Sequence, residues 1–316
     1  MENLLLRSTD KKLTNRAARH IAGLLIPSIE ALGLTMRAGD AFISDPDKVK
    51  NWKEGSMKLL AEQAVLNRFS KERVSPNRDW KYDTGTMPNL DTQVARIMGS
   101  LTGVGPVGIG SSPAWIGEIT DKADGLMAIP SILDIGAMFE VEDPLGRGYG
   151  QILEKVLACL GKERGGKFHN YRNGQLDPNY IRFHEEVRRR REELENAIPH
   201  EKGKIRFLLV PVSMGRYYQG YSPRNARLDA LELGNLPLDP VTVAFMLIAW
   251  PERLNKNQQT FIDCYGCEYS WDADGEWSRV CYFRFDGSRL EFGDGDADIA
   301  IGGCGAAVAF PGVSAP

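Results

Sequence analysis

The sequence predicts an α+β fold, and three observations carry that prediction. Helical periodicity dominates the first half of the chain. β-like runs cluster in the last third. Two helix starts of the cap-then-proline kind, Ser222-Pro223 and Asp239-Pro240, sit among those runs. Clustered strands after clustered helices, rather than strict alternation, is the α+β pattern. The expected division is a mainly helical part with Gly-rich connections over residues 1–165, a linker over 166–177, and a helix-plus-β-meander domain over 178–316. That last domain is expected to hold a mostly antiparallel sheet with helices 223–233 and 240–250 packed on it.

Taken in order, residues 14–33 read as helix from Ile21, Leu24, Leu25, Ile29 and Leu32, and residues 52–69 as a second helix. The polar stretch 71–90 reads as a loop. Val94, Ile97, Met98 and Leu101 then give an i, i+3, i+4, i+7 stripe, with Asp91 as the expected cap. Residues 126–141 fit helix and strand equally. Ile152, Leu153, Val156, Leu157 and Leu160 mark another helix, and Asp177-Pro178 reads as a start signal for a charged helix running to about Ala197. Its apolar seam is Tyr180, Val187 and Leu194.

In the last third, Ile205–Val212 is β-like, and Gly234 stops the helix begun at Ser222. The helix begun at Asp239 is apolar nearly all round, so it belongs in a core. Thr260–Tyr269 and Ser278–Phe285 read as strands. Asp286-Gly287 is a two-residue hairpin signal into Ser288–Phe292. Cys281, Phe283 and Phe285 share one strand face, and Leu290 and Phe292 meet the same core.

Composition bounds the function. Hydrophobic residues make up 42% and charged residues 26%, the balance of a globular chain and not of a disordered one. The net charge of −3 argues against generic nucleic-acid binding, which favours basic domains. The longest apolar run, Val241–Trp250, falls short of the roughly 18 residues needed to cross a bilayer, so no membrane partner is expected. Five cysteines, an odd number with no secretory leader pattern, fit a reducing compartment, and a soluble cytoplasmic protein is the expectation.

Several motifs invite chemistry. Gly103-Val104-Gly105-Pro106-Val107-Gly108 has the letters of a dinucleotide-binding turn, but a helix precedes it and Pro106 interrupts it, so a tight turn is the better reading. Cys264-Tyr265-Gly266-Cys267 has zinc-knuckle spacing, and Cys281 and Cys304 would complete a four-cysteine site. The competing reading, preferred here, sends Cys264 and Cys267 to opposite strand faces and makes Cys281 a core residue. No cofactor is therefore predicted, with zinc or another divalent cation as the candidate. Asp272, Asp274 and Gly275, and later Asp294, Asp296 and Asp298, are fragments of calcium loops that read better as acidic hairpin turns.

Arg188, Arg189, Arg190 and Arg191, set among Glu185, Glu186, Glu192, Glu193 and Glu195, read as intrahelical ion pairs. A nucleic-acid patch, extended by Lys162, Arg164, Lys167, Arg172, Phe168 and Tyr171, is the minority reading. Arg216, Tyr217, Tyr218, Tyr221 and Arg224 form an aromatic-basic cluster that suits an anion or a peptide, although ordinary packing of the tyrosines over the meander is the preferred reading. None of His20, His169, His184 and His200 falls in a zinc-protease motif.

The order LLVPVS, SPRNARLDAL, LPLDPVTVAFMLIAWPERL, FIDCYGCEYSWDADGEWS, YFRFDGSRLEF and GGCGAAVAF resembles an uncharacterised bacterial family, over residues 205–312 only. Members of that family carry Gly-Asp-Glu-Tyr where this chain has Gly266-Cys267-Glu268-Tyr269, so a family-wide zinc site is not implied. The resemblance implies no activity.

The functional expectation is a non-enzymatic interaction or regulatory protein, with a protein partner or self-association ahead of nucleic acid. The alternative is a metal-dependent hydrolase or nucleic-acid-processing enzyme using Asp263, Glu268, Asp272 and Asp274.

Overall fold

The computed structural model describes residues 69–80, 82, 85–102, 108–109, 114–115 and 121–311. The helix expected over 14–33, residues 52–68 of the helix expected over 52–69, and residues 103–107 of the Gly103–Gly108 turn lie outside the described residues. Leu66–Pro316 forms a compact unit. Among its described residues are six α-helices: α1 (Leu90–Ser100), α2 (Ile132–Met138), α3 (Tyr149–Glu163), α4 (Glu185–Asn196), α5 (Pro223–Glu232) and α6 (Pro240–Ala249). The strands are β1 (Gly108–Ile109), β2 (Ala114–Trp115), β3 (Gly125–Pro130), β4 (Phe168–Asn170), β5 (Ile181–Phe183), β6 (Lys204–Ile205), β7 (Phe207–Gln219), β8 (Leu236–Pro237), β9 (Phe261–Tyr269), β10 (Arg279–Asp286), β11 (Arg289–Asp296) and β12 (Cys304–Ala309).

The α+β expectation holds for these residues. Ten strands form one mixed sheet in the order β2-β7-β12-β9-β10-β11-β4, with β3 on β7, β5 on β9 and β8 on β12. Most pairs are antiparallel. The exceptions in this sheet are β2–β7, β11–β4 and the central β12–β9.

Residues 166–177 are not a linker. β4 adds to β11, the Leu176 side chain is buried, and Arg172 pairs with the buried Asp294. Their polar composition hid the reason: the segment crosses the sheet edge, where arginine and aspartate satisfy each other. One apolar core accordingly runs from Ile97 to Ala309 across the expected boundary.

Local chemistry explains the helix starts that were read correctly. The Ser222 side chain accepts from Asn225 N and that of Asp239 from Thr242 N, each with proline at the next position. Helix α6 is buried on every side and packs against α1, α3 and β3. Each of Phe245, Met246, Leu247 and Ile248 contributes roughly 1.5–3 kcal/mol by leaving water. Its carbonyl end is closed by Arg164, whose guanidinium donates to Leu247 O (3.2 Å), Pro251 O (3.1 Å) and Leu254 O (3.2 Å).

Other readings are corrected. The cap of α1 is Asn89, which accepts from Thr92 N, while Asp91 sits in the first turn. Residues 126–141 contain both a strand and a helix, β3 then α2. Asp177 makes only a turn, accepting from Asn179 N and Tyr180 N, after which the chain enters β5. The helix begins eight residues after Asp177, at Glu185. The hairpin turn is Gly287-Ser288, one residue later than expected: Asp286 pairs with Arg289, and Gly287 takes φ +63°. Glycine at the first turn position fits a type II′ hairpin. Asp294 and Asp296 lie in β11, where Arg279 bonds both.

Of the expected seam, Val187 is in the core and Tyr180 and Leu194 pack against it, but the buried stripe of α4 also carries two charged residues, Arg191 and Glu195. Glu195 takes Arg191 Nε (2.6 Å), Ser131 Oγ (2.7 Å) and the first amides of α2, Ile132 N (2.9 Å) and Leu133 N (3.0 Å). Arg206, at the start of β7, donates to Asp134 Oδ2 (2.7 Å) and Oδ1 (2.8 Å) and to the carbonyls of Glu195 and Ile198. The rest of the basic run forms the expected ladder on the outer face, with Arg189 and Arg190 on Glu186 and Arg188 on Glu192.

The contrast yields a test. Glu195→Ala leaves the Arg191 guanidinium buried and short of a partner, together with Ser131 Oγ and the first amides of α2, a loss of about 3–5 kcal/mol. Arg189→Ala, on the exposed face, changes stability far less, because its ion pairs stand in water. Urea unfolding of the two variants beside the parent measures both; equal losses would mean that the network is not buried in solution.

Candidate functional site

The site forms where β9 departs from regular pairing. Cys281 faces Cys264 and Arg279 faces Tyr269, so five steps along β9 match two along β10. Such a bulge leaves backbone groups unpaired. They are taken up from three sides. Gly266 N donates to Leu238 O (3.0 Å), His184 N donates to Gly266 O (3.1 Å), and Arg227 of α5 donates to Tyr265 O (2.6 Å) and Cys267 O (3.0 Å). A Cβ at Gly266 would stand 2.8 Å from Pro237 O, so only glycine lets β8 pass this closely.

Arg227 is buried, and burial lowers its pKa. Its charge is met by Glu268, which accepts Arg227 Nη1 (3.2 Å) through Oε1 and Arg182 Nε (2.9 Å) through Oε2. Arg182 and Glu268 are strand partners, which fixes that pair, and the guanidinium of Arg182 lies 4.2 Å from the Trp277 ring centre.

Beside this unit opens a cleft of about 520 Å³. Its walls include Arg147 from the turn before α3, Arg182 and Phe183 from β5, His184, Glu185 and Arg188 from the start of α4, and Glu268. His184 is the N-cap residue of α4 and makes no side-chain cap. Its Nδ1 is buried and has no hydrogen-bond partner among the described residues. Burial first, and the Arg227 charge second, hold the imidazole below its ordinary pKa, so it is neutral at pH 7. Nothing in the sequence marked His184; its role follows from the hydrogen bond of its own backbone to the bulge.

The four carboxylates considered for metal chemistry are dispersed. Glu268 is bonded to two arginines. Asp274 accepts Ser270 Oγ (3.0 Å) and Glu276 N (2.9 Å) within the β9–β10 turn, and Asp272 is exposed on that turn. Asp263 is buried in β9 with Ala306 and Tyr282 as strand neighbours.

Three of the four cysteines share one apolar core, and Cys304 lies apart from them. Cys264 and Cys281 are strand partners, and the bulge brings Cys267 into the same apolar core, against the expectation of opposite faces. Cys304 pairs with Phe261, on the face opposite Cys264. Burial pushes the Cys264, Cys267 and Cys281 thiols well up. Among the described residues no three of His, Cys, Asp and Glu stand together so as to hold a metal ion.

The aromatic-basic cluster is also spent on structure. Arg216 bonds Asp124 (2.8 Å), and Tyr217 and Tyr218 pack edge to face. Tyr218 OH donates to Asp229 (2.9 Å). Tyr221 stacks under Arg73 (4.2 Å), and Arg224 bonds Glu72 (2.8 Å). Of the residues proposed for a nucleic-acid patch, Arg164 caps α6 and Arg172 lies on Trp271 (4.0 Å) beside Asp294. No helix among the described residues is long and apolar enough to cross a membrane.

Asp263 supplies a titration test. Its carboxyl is 6% exposed, and burial raises its pKa to about 7 from 3.8. A raised acid binds its proton more tightly in the folded state, so stability falls as pH rises between about 4 and 7 and levels off above. The fall is about 4 kcal/mol at 1.36 kcal/mol per unit. Asp263→Asn removes this slope, so the variant gains on the parent steadily from pH 4 to pH 7. Denaturant unfolding across that range measures the difference; parallel profiles would show that the carboxyl reaches water. The chain matches no protein-family model, and no curated protein or solved structure is significantly similar to it.

Proposed function

We propose that this chain works by binding, as an interaction or regulatory protein, and that the cleft at the start of α4 is where it recognises its ligand. One observation carries the reading: the cleft's central carboxylate, Glu268, is clamped between Arg182 and Arg227, and Arg227 is in turn fixed to the β9 backbone. Its oxygens are committed to guanidinium groups, which favours a rigid recognition surface over proton transfer or metal binding. Guanidinium groups with planar, fixed donors are the side chains best suited to recognise a charged ligand. The walls add Pro178, Leu145 and Phe183, the apolar share that ligand clefts usually carry.

Native mass spectrometry of the full chain, released from cells without dialysis, tests the proposal. The expected result is a retained ligand or partner on the parent that is lost from Arg147→Glu/Arg188→Glu. Hydrolysis of ester or phosphodiester substrates that depends on Mg²⁺ or Mn²⁺ and disappears in Glu268→Gln would overturn it in favour of the enzyme reading.

A further inference from the structure

The second face of the sheet carries a carboxyl that the fold does not use. Ile262, Cys264 and Phe283 turn into the main core, so alternation sends Phe261, Asp263 and Tyr282 to the other face. Asp263 and Tyr282 are direct strand partners there. Among the described residues the Asp263 carboxyl has no hydrogen-bond donor and no cation beside it, and burial alone moves its pKa. Three half-buried rings gather on the same face. Phe261 and Tyr282 are nearly parallel, with centres 6.0 Å apart, and Trp80 stands edge to face on Phe261 at 4.7 Å. Glycines make room for the outer rings: a Cβ at Gly303 would stand 2.8 Å from the Trp80 ring, and one at Gly293 would stand 3.0 Å from Tyr282 Oη. Arg284 lies 5.7 Å from the Phe261 centre and 5.8 Å from that of Tyr282, but its charge is met by Glu291 (2.8 Å) and not by Asp263.

We propose that Asp263, Phe261, Tyr282 and Trp80 form a second site, for the methylated ammonium head of an organic cation. Aromatic faces attract a cation through their negative quadrupole, and the carboxylate supplies the countercharge. A buried charge without a partner is costly, and the ligand's own charge removes that cost. Methylation follows from the count of acceptors. A primary ammonium brings three N–H donors to a place with one carboxyl, whereas a quaternary ammonium needs no acceptor. None of the four residues lines the cleft at α4, so this site stands independently of the binding reading above.

Titration calorimetry on the full chain at about pH 8, where the Asp263 carboxyl is ionised, tests the proposal. The probes are choline, a short peptide carrying one trimethyllysine, and dimethylbutanol, the uncharged carbon isostere of choline. At least one of the two cations is expected to bind saturably at one site, and dimethylbutanol to bind roughly tenfold more weakly or worse. Choline ahead of the peptide identifies a free small molecule, and the reverse order a modified protein side chain. Asp263→Asn weakens cation binding by roughly tenfold or more, the size of a desolvated charge contact. That variant gains stability on the parent as pH rises to 7, so its lost binding is not lost folding. Tyr282→Leu weakens binding by roughly fivefold or more. Should it unfold the chain, Phe261→Leu takes its place with the same expectation. Arg189→Ala, on the outer face of α4, leaves binding unchanged.

Cation binding that is equal in the parent and in Asp263→Asn overturns the proposal, because the cation then sits elsewhere. Dimethylbutanol binding as tightly as choline overturns it too, since the rings would then be an apolar surface only. So does the absence of saturable binding by either cation.

Discussion

Everything near the cleft depends on one buried set of charges. Arg191 and Glu195 of α4, Arg206 just before β7, Asp134 of α2 and Asp239 at the start of α6 form a connected group, with Thr242 bridging Arg191 to Asp239. Two cations and three anions taken out of water would be costly by themselves. The excess negative charge lies at helix starts: Glu195 accepts the first amides of α2, and Asp239 caps α6. Tyr149 OH adds a 2.7 Å bond to Asp239, and His200 reaches Asp134 (2.9 Å) where the group meets solvent. A group satisfied this fully tolerates only one arrangement of the elements that bear it, and so it specifies where α4 lies as much as it stabilises it.

Helix α4 is therefore fixed at both ends. At its carboxyl end the network holds it to α2, β7 and α6. At its amino end the bond from His184 N to Gly266 O holds it to the β9 bulge. The cleft opens at this second end. A ligand entering there meets exposed or half-exposed arginines and not the buried charges, so binding does not require the core to reorganise. Electrostatic attraction at such a rim is screened by salt, whereas the buried set is screened little.

Arginine has a structural role throughout the fold, and this decided how much of the site was legible. Arg164 closes the end of α6, Arg227 closes the β9 bulge, and the fully buried Arg253 donates to Met214 O (3.2 Å) and Thr260 O (3.0 Å) beside the Tyr82 ring. From the sequence alone a buried arginine that serves carbonyl groups looks like a surface cation. That is why Arg191 read as one more member of an exposed run and why Arg164 and Arg172 suggested a basic patch. What could be read was local: the Ser222 and Asp239 helix starts, the apolar α6, the core faces of Cys281, Phe283, Leu290 and Phe292. These depend on periodicity and capping within a few residues.

What could not be read depends on backbone meeting backbone at long range. The strand β5 has three residues, too few for the alternation of Ile181, Arg182 and Phe183 to stand out; it exists because Arg182 and Phe183 pair with Glu268 and Cys267. That pairing overrides the helix start at Asp177-Pro178 and moves the true start of α4 to the edge of the bulge. The same event turns the Cys264-Tyr265-Gly266-Cys267 spacing from a metal motif into a bulge, since Gly266 is needed for the approach of β8 and not for a knuckle. His184 then owes its place to the strand that ends just before it. Once β5 is set against β9, residue 184 must stand at the N-cap position of α4 beside Glu268 and Arg227, and histidine there brings a ring nitrogen with no partner among the described residues. The candidate site is thus a consequence of sheet register, a property that no short segment of the sequence contains.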